Sequence, residues 1–162
     1  MKKRKIILIR HAKSSWEQNV EDYDRDLLSI GIDKTNKIGI ATKDLIPNEC
    51  EIWTSSAKRA HKTAKIICKI WDFPKTKLTV KKELYTFNVN QLEEIVKSCP
   101  NQCNYLIIFG HNNAITDFVN KFGDILIENV PTSAFVCIKF NAQNWKTLTK
   151  GTTEKIIFPS HL

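Results

Sequence analysis

Three features of the sequence predict an α/β fold, a three-layer α/β/α sandwich around a central, mostly parallel sheet. Two short runs, Ile6-Ile7-Leu8-Ile9 and Tyr105-Leu106-Ile107-Ile108-Phe109, are continuously apolar, the pattern of strands buried on both faces. Segments with helical spacing alternate with strand-like segments along the chain, an order that favours parallel strands covered by helices on both sides. No repeat, low-complexity tract or long linker divides the 162 residues, so a single domain over 1–162 is expected.

The first apolar run ends abruptly in Arg10 and His11. Burying both beside a strand is costly unless an anion or a fixed partner meets them. In open α/β sheets ligands collect just beyond the carboxyl ends of the strands, which makes this junction a candidate cationic pocket. The alternative is an exposed Arg-His pair opening a loop. From Ser14 to Asp26 neither periodicity holds, and the stretch reads as a loop. Within it Arg25 is the one cation among Glu17, Glu21, Asp22, Asp24 and Asp26, and spacing alone makes it an ordinary surface ion pair.

Ser29 is expected to cap a helix running to about Leu45, with Ile38, Ala41 and Leu45 on its inner face. Gly31 and Gly39 weaken that helix, so packing must hold it. Pro47-Asn48 ends it, and Glu51 to Thr54 is a short strand. The Ser-rich start Ser55-Ser56 fits a helix amino terminus, after which Ala57, Ala60, Ala64, Ile67, Cys68 and Trp71 form a buried stripe. Arg59 falls in the first turn, near the positive end of the helix dipole where an anion is welcome; His61 reads as an exposed helix residue. Pro74 closes this helix, and Leu78-Thr79-Val80 is a third strand. Asn90 followed by Glu93 resembles a helix start, with Leu92, Ile95, Val96 and Cys99 facing inward.

The second apolar run repeats the grammar of the first: after Phe109, Gly110 lets the backbone turn closely into His111-Asn112-Asn113. Ile115, Phe118, Val119 and Phe122 then continue at helical spacing. Residues 133–140 alternate as a strand, and Trp145 to Leu148 and Ile156 to Phe158 are shorter strand candidates.

Composition narrows the function. A net charge of +8 invites a nucleic-acid reading, yet the lysines are spread along the chain without interleaved aromatics, and a solvated lysine-rich surface is the expectation. The basic start, Met1 to Lys5, imitates a signal peptide, but the apolar run after it is too short for secretion or for spanning a membrane. Five cysteines, only Cys99 and Cys103 close in a C-x-x-x-C spacing and without a histidine at zinc-finger spacing, read as reduced thiols of a cytoplasmic protein. Only four arginines occur, Arg4, Arg10, Arg25 and Arg59. Where lysine carries nearly all the positive charge, the few arginines mark places that need a planar, forked donor.

If the two apolar strands are neighbours, one pocket holds His11, His111, Arg10 and Arg59: two potential nucleophiles or donors and two forked cations, a set suited to a tetrahedral dianion. There is no Walker sequence, no paired Asp set for Mg²⁺ and no H-x-x-x-H pair. Metal-assisted phosphoryl transfer is therefore disfavoured, and neither a metal nor another cofactor is expected.

Four ordered motifs, Arg10-His11-Ala12-Lys13-Ser14-Ser15-Trp16, Arg25-Asp26-Leu27-Leu28-Ser29-Ile30-Gly31, Ser55-Ser56-Ala57-Lys58-Arg59-Ala60-x-x-Thr63-Ala64 and Gly110-His111-Asn112, resemble the histidine phosphatase superfamily, whose fold is phosphoglycerate mutase-like. Within it the chain is similar to the small SixA-type phosphohistidine phosphatases. The resemblance makes His11 the nucleophile that takes up the phosphoryl group as a covalent phosphohistidine, with Arg10, Arg59 and His111 holding its oxygens. Arg25 is raised by it from surface ion pair to phosphate contact, and Ser55 and Asn112 join the substrate-binding set. Ala12, Ser56 and Asp26 depart from common family residues. More consequential is Glu83-Leu84-Tyr85-Thr86: relatives that cleave P–O bonds carry a carboxylic acid where Thr86 stands. Losing a general acid forfeits about 10²–10⁴ in rate on an alkyl phosphate, whereas the P–N bond of phosphohistidine is labile. The resemblance thus implies a phosphoprotein substrate. A phosphatase of small esters using Glu83 as acid, and a catalytically idle phosphate- or nucleic-acid-binding module, are the alternatives.

Overall fold

A computed structural model describes residues 2–17 and 19–162 of the chain; Met1, at the head of the basic start, and Gln18, in the loop, lie outside the described residues. Six strands form one sheet: β1 (Lys2–Arg10), β2 (Glu51–Ser55), β3 (Leu78–Lys81), β4 (Tyr105–Gly110), β5 (Phe135–Ala142) and β6 (Thr152–Ile157). Their spatial order is β3-β2-β4-β1-β5-β6. β5 alone runs against its neighbours, so the sheet is mostly parallel, as the alternation of elements predicts. The helices are α1 (Ser29–Thr42), α2 (Lys58–Ile70), α3 (Val89–Lys97) and α4 (Ala114–Phe122).

The side-chain period of a strand sorts the core into two halves. Ile6, Leu8, Leu106, Ile108, Val136 and Ile138 face α3 and α4, meeting Leu92, Val96, Phe118 and Val119. Ile7, Ile9, Ile107, Phe109, Phe135 and Cys137 face the opposite way, toward Ile38, Ala64, Ile67 and Trp71 of and beside α1 and α2. Each apolar run is therefore buried on both faces, and the molecule has three layers. All five cysteines are free thiols. Among the described residues no helix is long and apolar enough to cross a membrane.

Several local expectations need correction. α1 starts at Ser29 itself, with Leu28 in the capping position and no side-chain cap. Its buried face is Gly31, Thr35, Ile38, Gly39 and Thr42, while Ala41 and Leu45 are exposed. Small and hydroxyl residues bury here because α1 lies close against its neighbours: a Cβ on Gly39 would stand 2.7 Å from Ile70 Cδ1, and the Trp71 indole donates to Thr42 Oγ1 at 3.0 Å. α3 is capped by Asn88, whose side chain accepts from Asn90 and Gln91 backbone N–H groups, so Asn90 lies inside the helix. Trp145 to Leu148 is no strand. Trp145 is fully buried, its indole donating to Cys103 O at 2.7 Å, and the backbone N–H groups of Trp145 and Thr147 donate to the side-chain oxygens of Asn101 (3.2 Å) and Asn144 (3.0 Å) in place of ladder bonds.

Arg4 belongs to this end of the molecule, away from the strand carboxyl ends. Its guanidinium is fully buried and donates to the carbonyls of Asn101 (3.0 Å), Cys103 (2.8 Å), Gln143 (2.9 Å) and Ala142 (3.3 Å). A forked donor thus ties the start of β1 to the turn before β4 and to the segment after β5.

The loop between β1 and α1 is closed at its neck. Leu28 N donates to Lys13 O (3.0 Å) and Ser15 N to Asp26 O (2.8 Å), with an isolated bridge between Ser14 and Leu27. Gly31, in the first turn of α1, is the residue this closure needs: a Cβ there would lie 2.6 Å from Lys13 O and 2.9 Å from Lys13 N. Gly31→Ala gains helix propensity worth about 1 kcal/mol but forces backbone apart at a cost of about 1–3 kcal/mol. A net loss of stability is expected in urea unfolding, with an amide chemical-shift change concentrated at Lys13 and Ser14.

Candidate active site

The crossovers decide where a site can lie. From β1 the chain passes to one side, toward β2, and from β4 to the other, toward β5, although β1 and β4 are adjacent. The crevice at their carboxyl ends is the switch point at which ligands collect in such sheets. Arg10 pairs with Gly110 at the last rung, and His11 N donates to Gly110 O at 3.0 Å. One histidine therefore follows each strand, and the two imidazoles stand 5.2 Å apart, centre to centre, inclined at 51°.

His11 Nδ1 lies 2.7 Å from Ala12 O. A carbonyl only accepts, so Nδ1 carries the proton and Nε2 keeps its lone pair. Ala12 is itself fixed, its N–H donating to Thr63 Oγ1 (2.9 Å), whose hydroxyl donates to Arg59 O one turn earlier in α2 (2.7 Å). Burial, opposed by the bond to Ala12 and reinforced by Arg59, Arg10 and Arg25, holds the His11 pKa down to about 3. At neutral pH the ring is neutral and nucleophilic at Nε2.

His111 is buried behind it, 1% exposed, with Nε2 2.8 Å from Ser55 Oγ. That oxygen already accepts from Ala57 N (3.2 Å); we assign its own proton to His111 Nε2, which leaves the ring proton on Nδ1. Nδ1 is buried and has no hydrogen-bond partner among the described residues. Burial, then the neighbouring His11 and Arg59, lowers the His111 pKa to about 2.

Three of the four arginines reach the same place. Arg10, Arg25 and Arg59 line one pocket of about 520 Å³ together with His11 and Asn112, and Trp16 and Phe87 stand on its rim, 79% and 52% exposed. Arg10 spends Nη1 on Val130 O (3.0 Å), and its buried Nε has no partner among the described residues. Arg59, 2% exposed, gives Nη1 to Asp22 O (2.7 Å) and Nη2 to Asp22 Oδ2 (3.0 Å), and its buried Nε again has no partner among the described residues. Arg25 is more committed to the loop: Nε donates to Ser15 O (2.9 Å), Nη1 to Asp22 Oδ1 (3.0 Å) and Nη2 to Ser14 Oγ, with Trp16 stacked 3.3 Å over it.

The remaining sequence candidates divide. Ser55 supports His111. Asn112 lines the pocket with its amide engaged, Nδ2 donating to Asn129 Oδ1 (2.8 Å) and Oδ1 accepting from Thr116 N (3.1 Å) and Oγ1 (2.7 Å). Glu83 is exposed and lines a separate depression beside Tyr85 and Gln91, so the structure does not bring it into the pocket of His11. Thr86 Oγ1 accepts from Asn88 N (3.1 Å) and donates to Gln91 Oε1. Among the described residues no group of three or more His, Cys, Asp or Glu side chains is arranged to hold a metal ion.

Sequence reasoning missed Asp22, Tyr85 and Thr63. Asp22 receives Arg25, Arg59 and the Tyr85 hydroxyl. Burial alone would raise its pKa, but these bonds, from Tyr85 first, bring it down to about 2. Its signal was present, an acid three positions before Arg25, but indistinguishable from its four acidic neighbours.

Both histidines are neutral when folded and regain an ordinary pKa near 6.5 when unfolded. The stability this difference gives is complete above about pH 6.5 and is lost as pH falls toward 3. Unfolding free energy is therefore expected to decline with acid through that window, and to decline less in His111→Gln. NMR should show no titration of the His11 ring between about pH 8 and 5.

Comparisons with known proteins bear on the fold and the family. A family model described as the histidine phosphatase superfamily (branch 1) matches residues 6–103. Among solved structures, SixA from Nakamurella multipartitia aligns with TM-score 0.82 at 18% identity, over 98% of this chain and 98% of that one. A protein histidine phosphatase SixA complexed with tungstate aligns with TM-score 0.80 at 17% identity, over 97% and 98% of the two chains. A phosphoglycerate mutase from Plasmodium falciparum gives TM-score 0.64 at 19% identity, over 94% and 89%. No curated protein sequence matches significantly. At these identities the structural likeness speaks for a shared architecture, and the family model, which spans more than half of the chain and contains three of the four motifs, places the chain in the histidine phosphatase superfamily.

Proposed function

We propose that this protein is a metal-independent phosphohistidine phosphatase that works through a covalent intermediate on His11. One observation carries the reading: among the described residues Arg10 Nε, Arg59 Nε and, in the tautomer assigned above, His111 Nδ1 are buried donors without a hydrogen-bond partner, and all three belong to residues grouped about His11. Buried donors are rarely left unpaired, and a cluster of them around a neutral imidazole is a receptor for a phosphoryl dianion. The tungstate complex of the similar SixA structure, a tetrahedral oxyanion, supports it.

In the first step His11 Nε2 bonds to phosphorus as the P–N bond of the substrate breaks. The arginine and His111 donors hold the oxygens, whose charge spreads in the transition state. The departing imidazole leaves neutral when its other nitrogen carries a proton. In the second step water attacks phosphorus and His11 is released. The arrangement of carboxylates favours phosphohistidine over an alkyl ester. Asp22 is held ionised by its partners, Glu83 lies outside the pocket and the Thr86 hydroxyl is occupied, so none of these three stands ready to protonate an alkoxide; Glu17, exposed on the pocket lining, is the other carboxyl there among the described residues. The exposed rim suits a histidine carried on a protein surface.

Incubation with a phosphohistidine peptide should yield an acid-labile, alkali-stable phosphate on His11, with turnover unchanged by EDTA. His11→Ala should abolish turnover, and Arg59→Ala should lower kcat by about 10²–10³. An alkyl phosphate should turn over about 10²–10⁴ more slowly than the peptide. Full activity in His11→Ala, or a preference for the alkyl ester, overturns the reading.

A further inference from the structure

Asp22 occupies the point at which two of the pocket's guanidinium groups meet. Oδ1 accepts from Arg25 Nη1 (3.0 Å), Oδ2 from Arg59 Nη2 (3.0 Å) and from the Tyr85 hydroxyl, and the backbone carbonyl from Arg59 Nη1 (2.7 Å). Tyr85 in turn sets its ring edge-on to His111, 5.3 Å between centres.

The bonds at Arg59 are directional. Both use the end of the guanidinium, one hydrogen each from Nη1 and Nη2. The other fork of the group, Nε–H with the second Nη2 hydrogen, lies along its side, and Nε is the buried atom without a partner among the described residues. A guanidinium tied by its end cannot offer that end to a ligand, and its planar geometry then leaves the side fork as the bidentate surface.

We propose that Asp22 is a positioning residue: its carboxylate fixes Arg59 end-on, and Arg25 beside it, so that the side fork of Arg59 is aimed at the phosphoryl oxygens. The inference rests on the reading of the pocket as a phosphoryl site. Coulomb's law alone predicts the opposite effect, because a carboxylate near a bound dianion repels it and its removal would tighten binding. Orientation outweighs repulsion here, since the Asp22 charge is already met by two guanidinium groups and a hydroxyl, whereas a misdirected Arg59 forfeits a charge-assisted, bidentate contact.

The sign of one measurement separates the two. Tungstate binding to the full chain is followed by calorimetry in the wild type, Asp22→Asn, Tyr85→Phe and Asp24→Asn, with thermal midpoints as a check on folding. Asp22→Asn is expected to raise the tungstate Kd about tenfold, Tyr85→Phe about threefold, and Asp24→Asn, exposed and outside the pocket, not at all. With a phosphohistidine peptide Asp22→Asn is expected to raise KM and also to lower kcat, by less than Arg59→Ala does, because Asp22 acts only through the aim of Arg59. Unchanged or tighter tungstate binding in Asp22→Asn and Tyr85→Phe, or a loss confined to kcat, overturns the proposal while leaving the phosphoryl site intact. Failure of the wild type to bind tungstate overturns both.

Discussion

Everything in the pocket depends on the pairing of β1 with β4. Their register sets Arg10 opposite Gly110, so the next residue on each strand is a histidine, and the hydrogen bond from His11 N to Gly110 O carries the pairing one step past the ladder. A slip of one residue would send every side chain of β1 to the other face, exchanging the two halves of the core. Ile6 to Ile9 are all fully buried and bounded by Lys5 and Arg10, so a slip would draw a charged side chain into the core. The polar ends of the aliphatic run therefore hold the register that sets the distance between the two imidazoles.

Around this pair the molecule uses desolvation and positive charge together. Burial removes the proton from both rings, and the arginines that would bind an anion also keep the imidazoles neutral. Two of those arginines, Arg25 and Arg59, are balanced by Asp22, and among the described residues the buried Nε of Arg59 has no partner. Among the described residues the buried side-chain polar atoms without a hydrogen-bond partner lie at this crevice, apart from a single oxygen of Glu93 that faces the ammonium of Lys121 at 2.6 Å.

Much of this was legible in the sequence. The two apolar runs, the helical stripes after Ser55 and after Asn113, and the scarcity of arginine marked the sheet, the covering helices and the cations, because each is a local pattern with one physical cause. The inner face of α1 was misread because its buried residues are glycine and threonine, chosen for close approach and for hydrogen bonds to Ser133 and Trp71, and apolar periodicity is blind to both. Asp22 and Tyr85 were invisible for a different reason. Which of five acids meets Arg59, 37 residues away in sequence, is settled by the path of a loop, and no periodicity records that path. Glu83 looked eligible by proximity to Thr86, but in the short 3₁₀ turn over Lys82–Leu84 neighbouring residues diverge in direction.

Thr63 and Arg59 sit one turn apart on α2, the first steadying the Ala12 amide and the second lining the pocket. Support of the segment after His11 and placement of the Arg59 guanidinium are thus two handles on one rod. A tilt or slide of α2 shifts both in concert, so substitutions on its buried underside, against Ile9 or Phe109, are able to reshape the pocket without touching its lining. A transplant of the four motifs to another scaffold would have to bring the whole helix along.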